Sequence, residues 1–190
     1  MPSCYKGIQS AVCKILSLDE SCADLSKSII DKCLITFPVD HCGIINRQAD
    51  WFPKIEELFK STNSFLRMCW LKAIAGAWTT TRRMPELIKW PCIFGCKDCS
   101  DEIRHYMICP ILWQLGREAL SISEQHFCIG HRLCFIDCSV DKLRLLAYVH
   151  LLYHALKNDR DCVQCDGLIK SSNYVQQKSS NLVKALRPLV

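Results

Sequence analysis

The chain has 190 residues, of which 49% are apolar and 23% are charged, a balance that excludes a disordered polymer and allows one or two buried cores. Its 15 cysteines would suggest a disulfide framework in a secreted protein, but their number is odd and many lie within apolar helical patterns. We therefore interpret them as free thiols in a reducing, intracellular compartment. No secretory signal and no apolar run long enough to cross a bilayer is recognisable, so no transmembrane segment is expected.

Positive charge is concentrated in two parts of the chain, although the net charge of +5 is modest. Between Lys60 and Lys97, seven basic residues occur with one acid, Glu86, and beyond Asp166 four basic residues occur with none. Such a local excess is typical of a surface that binds a polyanion, whereas solvated helix faces are the alternative.

The spacing of apolar residues predicts a mainly α-helical protein. In the N-terminal part it predicts a helix over about residues 5–16, a second helix ending near Phe37, and a short helix with Pro53 in its first turn. A polar break at residues 62–64 can cap the next helix, which is predicted over residues 65–78.

A further helix is predicted to start at Ser100, because Asp101 and Glu102 suit the positive end of the helix dipole. Pro110 is expected to kink or restart this helix, which then continues to about Leu120 with a core-facing side.

The C-terminal part contains the clearest helical pattern in the chain. Residues 121–138 lack periodicity, and a short extended piece is predicted at residues 133–136. Ser139 can cap a helix over residues 140–157 that is apolar nearly all round and therefore central. A final amphipathic, basic helix is predicted over residues 174–189.

Four soft metal ligands occur in the pattern C-x3-C-x8-H-x3-C, at Cys92, Cys96, His105 and Cys109. Both halves of this pattern fall within the spacings of structural zinc sites, and Gly95 can supply the turn that aims the first two thiols at one point. The second pair is four residues apart and shares one face of a helix. Four protein ligands leave no open position for a substrate, so the pattern favours a structural zinc ion and a protein that is not an enzyme.

A second group, His150, His154, Cys162 and Cys165, has the ligand types of a further zinc site. Because both histidines lie in an apolar helix, hydrogen-bonded core histidines are the alternative interpretation. A looser group of histidines and cysteines at residues 126–138 is interpreted as packing or capping residues.

Three stretches of the chain resemble the zinc-binding region that follows the reverse transcriptase domain in non-LTR retrotransposons. They are Trp78-Thr-Thr-Thr-Arg-Arg-Met84, Pro91-Cys-Ile-Phe-Gly-Cys96 and His105-Tyr-Met-Ile-Cys-Pro-Ile-Leu-Trp113. A weaker similarity continues through residues 143–157, so the resemblance covers roughly half of the chain, from about residue 65 to residue 158.

In that family the zinc knuckle is thought to hold the RNA or DNA of the element near the polymerase, so the resemblance implies nucleic-acid association. The family ligands carry over to Cys92, Cys96, His105 and Cys109. The first pair is often spaced C-x2-C in the family, and Cys99 is a spare thiol that can replace Cys96. No Asp-Asp pair in the sequence matches the catalytic aspartates of the polymerase, so polymerase activity does not transfer. These features suggest a domesticated fragment.

The candidate RNA contacts are basic residues beside the knuckle and in the C-terminal tail. They are Lys72, Arg82, Arg83, Lys89, Lys97, Lys178, Lys184 and Arg187. Arg82 and Arg83 are the strongest candidates, because a guanidinium pairs bidentately with phosphate and stacks on bases. Trp70, Trp78 and Trp90 can also stack on bases, but tryptophans at helical spacing are more often core residues.

We divide the chain into three parts. Residues 1–62 form a predicted N-terminal helical extension, residues 63–158 a small zinc-knuckle helical domain, and residues 159–190 a basic C-terminal loop and helix.

The expected function is that of a non-enzymatic, zinc-stabilised structural protein that binds RNA and has no small-molecule substrate. The expected partners are ribosomal RNA and neighbouring proteins of a ribonucleoprotein such as a mitochondrial ribosome. A mitochondrial location is favoured because residues 1–18 contain two lysines, several serines and no acid, as in an amphipathic targeting helix. The alternatives are a protein-scaffold subunit of a large assembly, such as a respiratory complex, and an undomesticated retroelement fragment.

Overall fold

A computed structural model of the chain describes residues 37, 51–81, 83–84, 87–88, 90–123, 128–159 and 172–186. Over these residues the protein is mainly α-helical, as predicted, and contains no strand. Its helices are α1 (Trp51–Lys60), α2 (Ser64–Ile74), α3 (Ile103–Tyr106), α4 (Pro110–Leu120), α5 (Ile129–Arg132), α6 (Val140–Asn158) and α7 (Ser172–Leu186). The helix predicted over residues 5–16 lies outside the described residues, as does the helix predicted to end near Phe37, apart from Phe37 itself.

Polar residues and a proline begin three of these helices where the sequence predicts it. The Asn63 side chain caps α2 by accepting a hydrogen bond of 3.0 Å from the backbone N–H of Leu66. The Ser139 hydroxyl caps α6 by accepting a bond of 3.2 Å from the N–H of Lys142. Pro110 occupies the first turn of α4, where its missing N–H has no cost, so the restart predicted there is confirmed.

The end of α2 differs from the prediction, which placed Trp78 within the helix. α2 ends at Ile74, and Gly76 adopts a φ of 60°, a left-handed conformation that glycine tolerates. The N–H of Ala77 then turns back to the carbonyl of Lys72 at 2.7 Å. Glycine-terminated helix ends have this geometry, and here it places Trp78 beyond the helix, in the core.

The extended piece predicted at residues 133–136 is wrong. This stretch follows the one-turn helix α5 and folds back on it, because the N–H of Phe135 donates to the carbonyl of Gly130 at 2.8 Å. Cys134 has a φ of 60°, which is incompatible with an extended strand.

Helix α6 is the central element of the described fold, as its apolar pattern predicts. Eleven of its 19 residues are buried, and it packs against α2, α4, α5 and α7. The approach of α4 to α6 is close at Gly116, where an added Cβ would lie 2.8 Å from Leu145 Cδ1. We infer that glycine is retained within α4, at some cost in helix propensity, to allow this contact.

None of the helices in the described part of the chain has both the length and the apolar composition needed to cross a bilayer.

Candidate metal centre

Cys92, Cys96, His105 and Cys109 lie together, as their spacing predicts. One ligand atom from each side chain lies within 4.8 Å of the others, and the Sγ atoms of Cys96 and Cys109 are 3.6 Å apart. Cys99 is outside this group, so the C-x3-C pair supplies the first two ligands. The side chains of Cys92 and Cys109 are buried, and that of His105 is 8% exposed. These four residues form a group that can hold a metal ion.

The first pair of ligands lies in a tight loop closed by Pro91 and Ser100. These two residues form an isolated antiparallel bridge, and the N–H of Cys92 donates to the carbonyl of Cys99 at 2.7 Å. Within the loop, Gly95 has a φ of 80° and donates its N–H to the carbonyl of Cys92 at 3.0 Å. The predicted turn at Gly95 is confirmed, and it brings both thiols of the first pair to one place.

The second pair of ligands is placed by two consecutive helices. His105 lies in the single turn of α3, and Cys109 occupies the N-cap position of α4, directly before Pro110. We predicted one helix that starts at Ser100 and carries both ligands on one face. The ligands instead belong to two helices, because the first ends at Tyr106 and Cys109 caps the second. Ser100 is held in the bridge that closes the preceding loop, so α3 begins later, at Ile103.

Hydrogen bonds among the thiols of the centre shift their pKa values in opposite directions. A hydrogen bond from Cys109 is the main cause that lowers the pKa of the Cys92 thiol, and the backbone N–H groups of Cys96 and Phe94 act in the same direction. The pKa of Cys109 is raised because its own proton is held in the bond to Cys92, and burial raises the pKa of Cys96. Cys92 is therefore the thiol that ionises most readily, and the thiolate is the form that binds metal.

The imidazole of His105 points one ring nitrogen into the group of thiols. Its Nε2 is buried and makes no hydrogen bond of normal geometry among the described residues, although the ring is near enough to Cys92 to lower the pKa of that thiol. Buried polar atoms in folded proteins are nearly always hydrogen-bonded, so an unpartnered nitrogen beside three thiols needs an explanation. A bound metal ion would satisfy it.

Asp101 connects both pairs of ligands to helix α6. Its side chain is fully buried and accepts three hydrogen bonds: from the N–H of Thr81 at 2.9 Å, from the hydroxyl of Tyr106 at 2.6 Å, and from the hydroxyl of Tyr153 at 3.0 Å. The Tyr106 hydroxyl in turn accepts a bond of 3.2 Å from the N–H of Ile93. We predicted Asp101 only as a favourable charge at a helix start, and its burial was missed.

An aromatic cluster lies beside this network and is centred on Trp78, which is fully buried. Its ring stacks on Tyr153 at 5.2 Å and on Tyr106 at 6.3 Å, and it contacts the rings of His150 and His154 at 5.3 and 6.0 Å. Trp78 therefore packs in the core, as predicted, although it lies beyond α2 and not within a helix, and it joins the stretch after α2 to α3 and α6.

The second zinc site predicted at His150, His154, Cys162 and Cys165 is only half described. The rings of His150 and His154 are 4.3 Å apart on α6, and His154 Nδ1 lies 3.3 Å from the hydroxyl of Thr79. Both cysteines lie outside the described residues, so this site stays a prediction.

The lowered pKa values of His150 and His154 predict that the protein loses stability in acid. Burial lowers the pKa of His150 to about 3 and that of His154 to about 4, and the nearby charges of Lys72 and, for His154, Lys157 act in the same direction. The ordinary value is about 6.5, so below that pH the unfolded chain binds protons at these groups before the folded chain does. Their contribution is complete above about pH 6.5 and is lost as the pH falls towards the folded pKa values.

We expect the free energy of unfolding to fall between pH 7 and pH 5 by up to about 1.4 kcal/mol per pH unit for each histidine. Urea unfolding at several pH values measures this slope. The variant His150→Phe keeps an aromatic ring beside Trp78 and should have a shallower slope than the wild type, whereas identical slopes would contradict the assignment.

The basic residues predicted to contact RNA have different surroundings. Lys72, Arg83, Lys97 and Lys184 are exposed. Lys178 forms an ion pair of 2.8 Å with Asp159, which offsets its charge. Three others, Arg82, Lys89 and Arg187, lie outside the described residues.

The described cysteines and histidine at residues 128–138 make local contacts. Cys134 is buried, and the thiol of Cys138 donates to its carbonyl at 2.7 Å. His131 Nδ1 lies 3.3 Å from the carboxylate of Asp137 and 3.4 Å from the amine of Lys142. These contacts agree with the interpretation as packing and capping residues.

The chain was compared with models of protein families, with curated proteins and with solved structures, and none of the three comparisons finds a match.

Proposed function

We propose that Cys92, Cys96, His105 and Cys109 bind one zinc ion that holds the fold together and takes no part in a reaction. The observation that carries this proposal is the convergence of three sulfurs and one imidazole nitrogen within 4.8 Å of one another. A Zn–S bond of about 2.3 Å in tetrahedral geometry places two sulfurs about 3.8 Å apart. The distance of 3.6 Å between the Sγ atoms of Cys96 and Cys109 is close to this value.

The number of protein ligands also favours a structural ion over a catalytic one. Catalytic zinc sites keep one position open for water or substrate, whereas four protein ligands fill the coordination sphere. The burial of Cys92, His105 and Cys109 supports this assignment, because a buried centre is shielded from substrates in solution.

We further propose that the protein is a non-enzymatic RNA-binding component of a ribonucleoprotein, with a mitochondrial ribosome as the candidate assembly. The support is the local excess of basic residues around the zinc ligands and the resemblance to the retroelement region. Arg83 is exposed, and its Nη1 donates to the carbonyl of Ala77 at 2.6 Å, which holds the guanidinium near the end of α2. Lys72 and Lys97 are exposed as well.

The variant Arg82→Ala/Arg83→Ala tests this proposal. We expect it to bind a fluorescent single-stranded RNA more weakly than the wild type in an anisotropy titration, because two phosphate contacts are lost. The slope of log K against log salt should fall by about 0.7 for each lost contact. The matched control, Lys54→Ala/Lys60→Ala, removes the same charge from exposed positions of α1. Equal losses in both variants, or no loss in either, would contradict a specific basic surface.

One observation favours the alternative of a protein scaffold. Met84, Leu87 and Ile88 are exposed, with relative accessibilities of 51%, 103% and 61%, and they lie on the loop that precedes the zinc ligands. Large apolar side chains that are this exposed and this close in the sequence are available for contact with another protein.

Sedimentation of the native protein through a sucrose gradient, with and without ribonuclease, separates these two functions. Migration with large particles that ribonuclease abolishes would support the ribonucleoprotein. Migration in a large complex that resists ribonuclease would support the protein scaffold instead.

A further inference from the structure

Two buried side chains bracket the backbone between the ligands His105 and Cys109. The indole Nε1 of Trp113 donates to the carbonyl of Tyr106 at 2.9 Å, and Nη1 of Arg132 donates to the carbonyl of Met107 at 2.5 Å. These carbonyls belong to the two residues that directly follow His105. Side chains of α4 and α5 therefore hold the single turn of backbone that connects His105 to Cys109.

Trp113 and Arg132 also hold each other in place. The guanidinium carbon of Arg132 lies 4.5 Å from the centroid of the Trp113 ring, within the range of a cation–π contact. Both side chains are buried, with Trp113 3% and Arg132 4% exposed. The planar guanidinium can thus stack on the indole and donate to a carbonyl at the same time, whereas a lysine amine has no plane to stack on a ring.

The burial of Arg132 has an electrostatic cost that the metal centre can offset. Arginine is almost never fully buried unless its charge is compensated. Three thiolates and a neutral imidazole around a divalent ion leave the centre with a net charge of minus one. Arg132 donates to the carbonyl of Met107, two residues before the ligand Cys109, and a negative charge on Cys109 acts favourably on the guanidinium.

We propose that Arg132 and Trp113 are positioning residues of the metal centre, which fix the backbone between His105 and Cys109, and that Arg132 balances the charge of the loaded site. This inference rests on the proposed zinc ion. Replacing side chains that hold the metal ligands in position, without binding the metal themselves, typically changes metal affinity by about 10–100-fold.

The test is a competition titration of the full-length protein with a chromophoric zinc chelator. Arg132→Met is expected to weaken zinc binding by about 10–100-fold. Arg132→Lys restores the charge without the planar stacking and should recover part of this loss. The matched control is Arg67→Met, since Arg67 also donates to a backbone carbonyl, that of Thr62, at 3.0 Å, but outside the metal centre. It should leave zinc affinity unchanged.

A second readout separates positioning from general support of the fold. With cobalt in place of zinc, Arg132→Met and Trp113→Phe should shift the visible ligand-field bands, whereas Arg67→Met should leave them in place. If Arg132→Met does not fold, Arg132→Lys and Trp113→Phe decide the question. Wild-type zinc affinity and unchanged cobalt spectra in these variants would overturn the role proposed for Arg132 and Trp113, but not the proposed zinc ion. A wild-type protein that binds no metal would overturn the proposed zinc centre as well.

Discussion

Cys96→Ser is expected to release the zinc ion and to lower the unfolding temperature by roughly 10 °C or more. Structural zinc contributes about 10–16 kcal/mol of apparent binding free energy in small zinc-dependent peptides. In the proposed centre only the folded chain would gain that energy, because the four ligands converge only on folding. For a chain of this size each kcal/mol corresponds to about 2–4 °C, so a loss of several kcal/mol gives a shift of this order. Zinc content by mass spectrometry and unfolding by calorimetry measure both effects.

The matched control for this prediction is Cys99→Ser. Cys99 is the neighbouring thiol that could replace Cys96 in the sequence pattern, but it lies outside the group of converging ligand atoms. We expect Cys99→Ser to retain one equivalent of zinc and the wild-type unfolding temperature. Retention of zinc by Cys96→Ser together with its loss in Cys99→Ser would show that Cys99, and not Cys96, pairs with Cys92.

Asp101→Ala is expected to cause a destabilisation comparable with the total stability of an ordinary domain. It leaves three buried donors without their acceptor: the N–H of Thr81 and the hydroxyls of Tyr106 and Tyr153. Each unsatisfied buried group costs roughly 1–3 kcal/mol. The sum approaches the free energy of unfolding of about 5–15 kcal/mol that is typical of native proteins. Urea unfolding in excess zinc measures the loss.

Two further variants test whether this loss comes from the buried network. Tyr153→Phe removes one donor and leaves the other two bonds intact, so it should cost about 1 kcal/mol. Asp98→Asn removes an exposed acid from the same segment and keeps a residue that tolerates the positive φ of 56° found there, so it should be neutral. A cost for Asp101→Ala no larger than that of Asp98→Asn would refute the network.

The parts of the fold that local chemistry decides could be predicted from the sequence. The boundaries of α6 follow from its apolar pattern and the Ser139 cap, and the restart of α4 follows from Pro110. The four converging ligands follow from their spacing, since all lie within residues 92–109 and local backbone geometry alone brings them together.

The parts that depend on distant contacts could not be predicted. The partner of Asp101 on α6 is Tyr153, which is 52 residues away, and no periodic pattern indicates that pairing. Arg132 reaches the carbonyl of Met107 from a helix that was not predicted. The end of α2 is a different case, because Gly76 is a local signal that was overlooked in favour of continuing the apolar pattern to Trp78.

The packing around Trp78 determines whether the candidate metal-binding segment could be moved into another protein. The indole packs against the ring of Tyr106 on α3 and against the rings of His150, Tyr153 and His154 on α6. Of these four partners, only Tyr106 lies between the first and last ligand. A graft limited to residues 90–109 would expose the Tyr106 ring to water and lose the hydroxyl of Tyr153. Transfer of this segment as a module would therefore require Trp78 and one face of the central helix to be moved with it.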